Sequence, residues 1–202
     1  MTLRAGVVAV QGDVSEHIAA LERALLTTDE KFEVFPVRQA ERLGDLDALV
    51  IPGGESSTIS RLLLANGMEG EIARAHRDGM AVLGTCAGCV LLAKEGDAEV
   101  ARTKTRLLGL MDMEVSRNAF GRQRESFETA LGIEGVGTFP AVFIRAPVIK
   151  QVWGTCRAIA RVKEGIVAAV QDRCMAVSFH PELVDNSSLH RLFLKECVGV
   201  NL

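Results

Sequence analysis

The chain has 202 residues, 48% of them hydrophobic and 24% charged, which is enough apolar material for one well-buried domain spanning residues 1–202 and too little length for two. A formal net charge of -3, a pI near 5.9, 4% aromatic residues and no tyrosine leave neither a basic footprint nor a base-stacking platform, which argues against a nucleic-acid partner. The five cysteines, at 86, 89, 156, 174 and 197, are an odd, scattered set that predicts reduced thiols rather than a disulfide framework and fits a cytoplasmic chain.

The opening MTLRAGVVAVQGD holds a short apolar run broken by Gln11, Gly12 and Asp13, and it reads as a first strand rather than a signal peptide or a membrane span. Apolar runs of strand length follow: Ala5 to Val10, Phe32 to Val37, Ala48 to Ile51 and Met80 to Leu83. Between them Ile18, Leu21 and Leu25, then Ile59, Leu62 and Leu63, carry helical spacing. Strand alternating with helix predicts a parallel sheet covered on both faces. In the second half Leu107 to Val115, Phe139 to Ile144, Arg157 to Val162, Ile166 to Val170 and Met175 to Phe179 read as strands with short turns, which makes the sheet mixed. Residues 116–137, rich in Arg, Gly and Glu, read as the most mobile loop. A closing amphipathic helix is expected from Ser187 to Val198, capped by Asn186 or Ser187.

The stretch VLGTCAGC, residues 82–89, opens two chemistries. Gly84-Thr85-Cys86-Ala87-Gly88 after an apolar run suggests a nucleophile on a sharp strand-to-helix turn, where the helix dipole favours a thiolate. Cys86 and Cys89 in Cys-x-x-Cys spacing suggest a redox pair, and a small buried core cysteine is the bland alternative. A zinc site is weaker, because no second close Cys or His pair supplies the remaining ligands.

The base discriminates between these readings. His17, His76 and His190 lie in helical patterns with charged neighbours and are read as solvated surface groups. His180 instead ends an apolar run and is followed by Pro181 and Glu182. Proline pushes the preceding residue towards an extended conformation, in which positions i and i+2 face the same side, so Glu182 can orient the imidazole. His180 can then deprotonate Cys86 if the two strand ends are neighbours. Pro52-Gly53-Gly54-Glu55 closes another strand with glycines whose N–H groups can approach a ligand, and the amide of Ala87 follows the nucleophile.

Gly53-Gly54-Glu55, Gly84-Thr85-Cys86-Ala87-Gly88 and His180-Pro181-Glu182, in that order, resemble the class I, triad-type glutamine amidotransferases. Narrower blocks, Val10-Gln11-Gly12-Asp13 with Glu16-His17, Gly53 to Thr58, Arg117 to Gln123 with Ser126-Phe127, Phe143 to Pro147 and Ser178 to Leu183, are similar to the glutaminase subunits of pyridoxal 5'-phosphate synthase. The resemblance implies a single-domain, three-layer, flavodoxin-like α/β fold with a mixed, mainly parallel central sheet flanked by helices. It implies that Cys86 is the nucleophile, His180 the general base and acid, and Glu182 the group that orients it. Gly54 and Ala87 would donate to the oxyanion with Gln11 beside them, and glutamine would be held by Gly54, Glu55, Ser56, Arg117, Ile144 and Arg145. No cofactor or metal is implied. The implied partner is a synthase subunit with a (β/α)8 barrel, assembled into a large hetero-oligomer that receives the ammonia. Two departures stand out: Cys89 replaces a residue that is usually aliphatic, and residues 184–188 match the pattern only loosely.

Overall fold

The computed structural model describes residues 2–26, 28–117 and 126–201. Its strands are β1 (Thr2–Val8), β2 (Lys31–Val37), β3 (Ala48–Ile51), β4 (Ala81–Thr85), β5 (Ala93–Gly96), β6 (Met111–Ser116), β7 (Ser126–Ile133), β8 (Gly137–Ile144), β9 (Val148–Val152), β10 (Arg157–Val162), β11 (Gly165–Gln171) and β12 (Cys174–Val177). The helices are α1 (Val14–Leu25), α2 (Ser56–Ala65), α3 (Met68–Arg77), α4 (Ala87–Leu92), α5 (Ala98–Arg102) and α6 (Ser188–Phe193).

The main sheet runs β2-β1-β3-β4-β12-β11-β9-β6-β5, with β10 added to β11, while β7 and β8 pair as a separate hairpin. From β2 to β12 every neighbour is parallel, so the carboxyl ends of β1, β3, β4 and β12 lie side by side along one rim. The antiparallel additions come after β12, at β11, β10 and β9.

Alternation along each strand builds the three layers. Ala5, Ala48, Val50, Ala81 and Leu83 pack with Leu21 and Leu25 of α1 and with Leu189 and Phe193 of α6. Leu49, Ile51 and Val82 face the other way, onto Ile59 of α2, Ile72 of α3 and Leu91 of α4. Successive residues of a strand point to opposite faces, so a run that is apolar throughout signals a strand covered on both sides. β3 and β4 are buried at every position.

Several elements differ from the sequence reading. Residues 116–137 are not a loop throughout: Ser126–Ile133 is a strand paired along its length with β8, and residues 118–125 lie outside the described residues. The hairpin packs onto the face that holds α1, with Phe127 and Phe143 stacked at 4.7 Å between ring centroids. The strand expected over Leu107 to Val115 begins only at Met111, and that expected over Ala5 to Val10 is shifted to Thr2–Val8. β5 and β9 were not anticipated. At the closing helix Ser187 holds the cap position without a side-chain capping bond; Asn186 Oδ1 accepts from the Ser188 N–H instead, at 2.9 Å.

The surface role read for the helical histidines is overturned. His17 and His190 are completely buried, and His76 is half-buried with Nδ1 2.9 Å from the Met80 carbonyl. His17 and Leu21 share a stripe on α1, as do His190 and Phe193 at the start of the closing helix, and these stripes face the core. All five cysteines are buried and free. Among the described residues no helix is long and apolar enough to cross a membrane.

Candidate active site

Cys86 lies at the junction of β4 and α4 with φ 47° and ψ -101°, a conformation that a residue with a Cβ adopts only under strain. Its N–H donates to the Val177 carbonyl at 2.8 Å, which ties the turn to β12, the strand that leads to His180. The sharpness of the turn depends on Gly88, where a Cβ would meet the Ile51 carbonyl oxygen at 2.0 Å. A side chain there would push α4 off β3 and displace Cys86.

His180 follows β12, and its N–H donates to the Val142 carbonyl of β8 at 2.8 Å. Its Nδ1 lies 2.6 Å from Glu182 Oε1, and its ring stands beside Cys86 on the wall of one cavity. Because Nδ1 is committed to the carboxylate, Nε2 is the atom left for sulfur. His180 has φ -106° and ψ 88°, short of the fully extended conformation expected before a proline, and residues Pro181–Leu183 form a 3₁₀ turn. The turn, rather than strand alternation, therefore brings the Glu182 carboxylate back onto the ring. Cys86, His180 and Glu182 are 7%, 5% and 5% exposed, so their mutual interactions are little screened by water. Burial pushes the imidazole down, yet the hydrogen bonds and charges of Cys86 and Glu182 outweigh it and raise His180 to about 10.

Gly53 faces this pair. A Cβ on it would come within 2.4 Å of His180 Cε1 and 3.4 Å of Cys86 Cβ, so the imidazole occupies space that only glycine leaves open. Gly54 follows at φ 139°. The Gln11 side chain reaches from the loop after β1 and accepts from the Glu55 N–H at 3.2 Å, pinning this turn.

Gln11, Gly54, Glu55, Ser56, Cys86, Ala87, Arg117, Ile144, Arg145 and His180 all line one cavity of about 380 Å³, with Glu182 behind the histidine. Within it Arg117 Nη2 donates to Glu55 Oε1, and Arg117 Nη1 donates to Thr103 Oγ1 at 2.7 Å. Burial pushes the Glu55 carboxyl up, but the Arg117 charge and the Ser57 donors outweigh it and hold it below its ordinary value. Ser56 is 3% exposed and its hydroxyl has no hydrogen-bond partner among the described residues. The Ile144 carbonyl accepts from Cys86 Sγ at 3.8 Å, and Arg145 is exposed with a strained φ of 43°. A slightly larger cavity, about 430 Å³, opens at the opposite rim beside Leu3, Met80 and Arg173, and it contains no paired nucleophile and base.

Cys89 is fully buried, and burial, reinforced by Cys86, pushes its thiol well above the ordinary value. A thiol held protonated in the core is a poor partner for disulfide exchange. The geometry thus favours one working cysteine.

His17 and Asp13 were not read from the sequence as site residues, although both neighbour the triad. Asp13 Oδ2 is 3.6 Å from His180 Nδ1. His17 Nε2 is 3.3 Å from Glu182 Oε2 and 3.1 Å from Thr85 Oγ1. The usable signal was the helical spacing of His17 with Leu21 and Leu25, which the charged neighbours Glu16 and Glu22 obscured.

A solved structure titled as a crystal structure of glutamine amidotransferase matches with a TM-score of 0.85 and 45% identity, covering 97% of this chain and 99% of its own. PurLQS from Thermotoga maritima, 16% identical with a TM-score of 0.63 over 96% of this chain and 99% of its own, shares the fold. The class defined by fold and similarity is that of the glutamine amidotransferases. Residues 7–199 match the SNO glutamine amidotransferase family, and the chain belongs to that family. A relative from Archaeoglobus fulgidus, named pyridoxal 5'-phosphate synthase subunit PdxT, is 47% identical over 96% of this chain and 98% of its own length. A protein of the same name from Methanosphaerula palustris is 48% identical over 96% and 97% respectively.

Proposed function

We propose that the chain is the glutaminase subunit of a pyridoxal 5'-phosphate synthase, hydrolysing L-glutamine to L-glutamate and ammonia through a thioester on Cys86. The observation that carries this reading is the imidazole of His180, hydrogen-bonded to Glu182 and standing beside Cys86 at the wall of a cavity sized for a free amino acid.

The chemistry follows from the positions. Sulfur, with its proton already held by His180, attacks the side-chain amide carbon, and negative charge moves to the carbonyl oxygen. The N–H groups of Ala87 and Gly54 are the donors for that oxyanion, and Gln11 steadies the Gly54-Glu55 turn through its bond to the Glu55 N–H. His180 returns the proton to the departing nitrogen, ammonia leaves, and the acyl group remains on sulfur. Water then gives its proton to His180 and attacks the thioester; glutamate departs and the thiol is restored. Glu182 holds the ring in the tautomer that presents Nε2 to sulfur throughout.

Glu55 and Arg117 suit the two charges of a free amino acid, ammonium and carboxylate respectively. They are paired with each other, and a zwitterion bound between them exchanges one ion pair for two. The Ser56 hydroxyl offers a further hydrogen bond, and Ile144 and Arg145 close the rim.

Ammonia released into neutral water is protonated and stops being a nucleophile, so the product passes within protein to a synthase subunit with a (β/α)8 barrel. There it is joined with a pentose phosphate and a triose phosphate, in a large cytoplasmic hetero-oligomer. The test is glutamate release by wild type and Cys86→Ala, each with and without the synthase subunit. Wild type with synthase turns over and Cys86→Ala does not; equal turnover by the two would reject the reading.

A further inference from the structure

We propose that His17 is a positioning residue of the triad: its Nε2–H faces Glu182 Oε2 and fixes the carboxylate so that Oε1 accepts from His180 Nδ1. The inference rests on the reading of Cys86, His180 and Glu182 as the catalytic triad and adds a fourth member behind it.

The starting observation is an incomplete account of a buried carboxylate. Glu182 Oε1 is satisfied by His180 at 2.6 Å, whereas Oε2 has no well-aligned donor among the described residues. A carboxylate oxygen in the core without a donor carries a large desolvation cost. The group that faces it is His17 Nε2, at 3.3 Å, with both side chains completely inaccessible to water. Hydrogen bonds of a resting site are often long and tighten once substrate is bound.

The tautomer follows from the same geometry. Nε2 is directed at Thr85 Oγ1, with Glu182 Oε2 beside that contact at 3.3 Å; a lone pair so close to a carboxylate oxygen would be repelled by it, so the proton belongs on Nε2. Thr85 Oγ1, 3.1 Å from Nε2, accepts from the same N–H and ties His17 to the residue that precedes the nucleophile. His17 Nδ1 has no partner among the described residues and carries the lone pair, the less costly group to leave unpaired.

The groups around the ring decide its charge. His190 of α6 meets it edge-on at 5.9 Å between centroids, Glu182 and His180 face it from the loop after β12, and Thr85 stands at the end of β4. Asp13, at the start of α1, is directed at His180 Nδ1, and Arg23 of the same helix acts on His190. Burial foremost, then His190 and His180, hold His17 well below the ordinary histidine range, so it stays neutral. Neutrality suits the role. A neutral donor orients Glu182 without cancelling the negative charge that keeps His180 protonated, whereas a charged ring would compete with His180 for that carboxylate.

The experiment compares His17→Leu, which removes the donor and keeps bulk, with His17→Gln, which restores an N–H near the Nε2 position, in the complex with the synthase subunit. Cys86→Ala serves as the control. His17→Leu is expected to lower kcat by about ten- to a hundredfold, as loss of an outer-shell partner does elsewhere, with KM little changed. His17→Gln is expected to recover most of it. The His180 imidazole, followed by NMR, should titrate lower in His17→Leu and return in His17→Gln. In wild type, the ¹⁵N shifts of His17 should report the Nε2–H tautomer, a reading that stands even if His17→Leu fails to fold. A folded His17→Leu with wild-type kcat and an unmoved His180 titration would overturn the proposal, as would an Nδ1–H tautomer. Turnover that persists in Cys86→Ala would instead overturn the triad reading beneath it.

Discussion

His180 Nδ1 and Glu182 Oε1 are 2.6 Å apart in a buried setting, and this contact, with the Cys86 thiol on the other side of the ring, raises the imidazole to about 10 against the pull of burial. A histidine with a raised value contributes stability that is fully present below its unfolded pKa of about 6.5 and is lost as pH rises through the folded value, here about 10. Glu182→Gln removes the charge and keeps the shape. It should lower the titration of His180 as seen by NMR and bring the alkaline loss of stability to lower pH. It should also cut kcat by roughly 10²- to 10⁴-fold, because the ring loses both its charge partner and its tautomer control. An unchanged His180 titration in Glu182→Gln would show that the carboxylate does not govern the ring.

Gly53 makes a steric prediction. An alanine Cβ there would sit 2.4 Å from His180 Cε1 and 3.1 Å from Nδ1, and neither distance is tolerable without moving the ring. Its backbone is not in the left-handed region, so the substitution strains the site and not the chain. Gly53→Ala should reduce turnover by about a hundredfold or more, the scale expected of a displacement near 1 Å in a reacting pair. The melting temperature should move by only a few degrees. Full activity in this variant would mean that the imidazole does not need its observed position.

Acid should destabilise the fold through the buried histidines. Burial, reinforced by the charge of Arg23, lowers His190 to about 4, and burial with His190 and His180 lowers His17 well below 6.5. A depressed histidine works in the opposite sense to His180: its contribution is full above the unfolded value of about 6.5 and is lost as pH falls towards the folded one. For His190, from about 6.5 to about 4, the linkage amounts to roughly 3 kcal/mol. Denaturant melts between about pH 7 and pH 4 should show falling stability, with a shallower slope in His190→Leu. Equal slopes in the two proteins would rule out this origin.

The parallel half of the sheet and the turn that carries Cys86 were legible because their signals are local. A short unbroken apolar run such as Ala48–Ile51, ended by Pro52-Gly53-Gly54, fits a strand covered on both faces, and the glycines around Cys86 mark the turn within five residues. The hairpin strand β7 was not legible, since Glu128, Thr129 and Gly132 dilute its alternation and only Leu131 and Ile133 are fully buried on it. β5, Ala-Lys-Glu-Gly, has no strand propensity to read and is made by pairing with β6. His17 and His190 were misjudged for the same physical reason: charged neighbours in sequence point away on a helix, and only tertiary packing reveals which face is inside. The likeness of residues 118–123 to the synthase glutaminases falls on residues outside those described.

The most direct measurement is the mass of the protein after incubation with an electrophilic glutamine analogue, followed by peptide mapping, in the presence of the synthase subunit. The account predicts one covalent adduct, located on Cys86, absent in Cys86→Ala, suppressed by excess L-glutamine and undiminished by Cys89→Ala. An adduct on Cys89, or a wild-type protein that remains unmodified while hydrolysing glutamine, would contradict it.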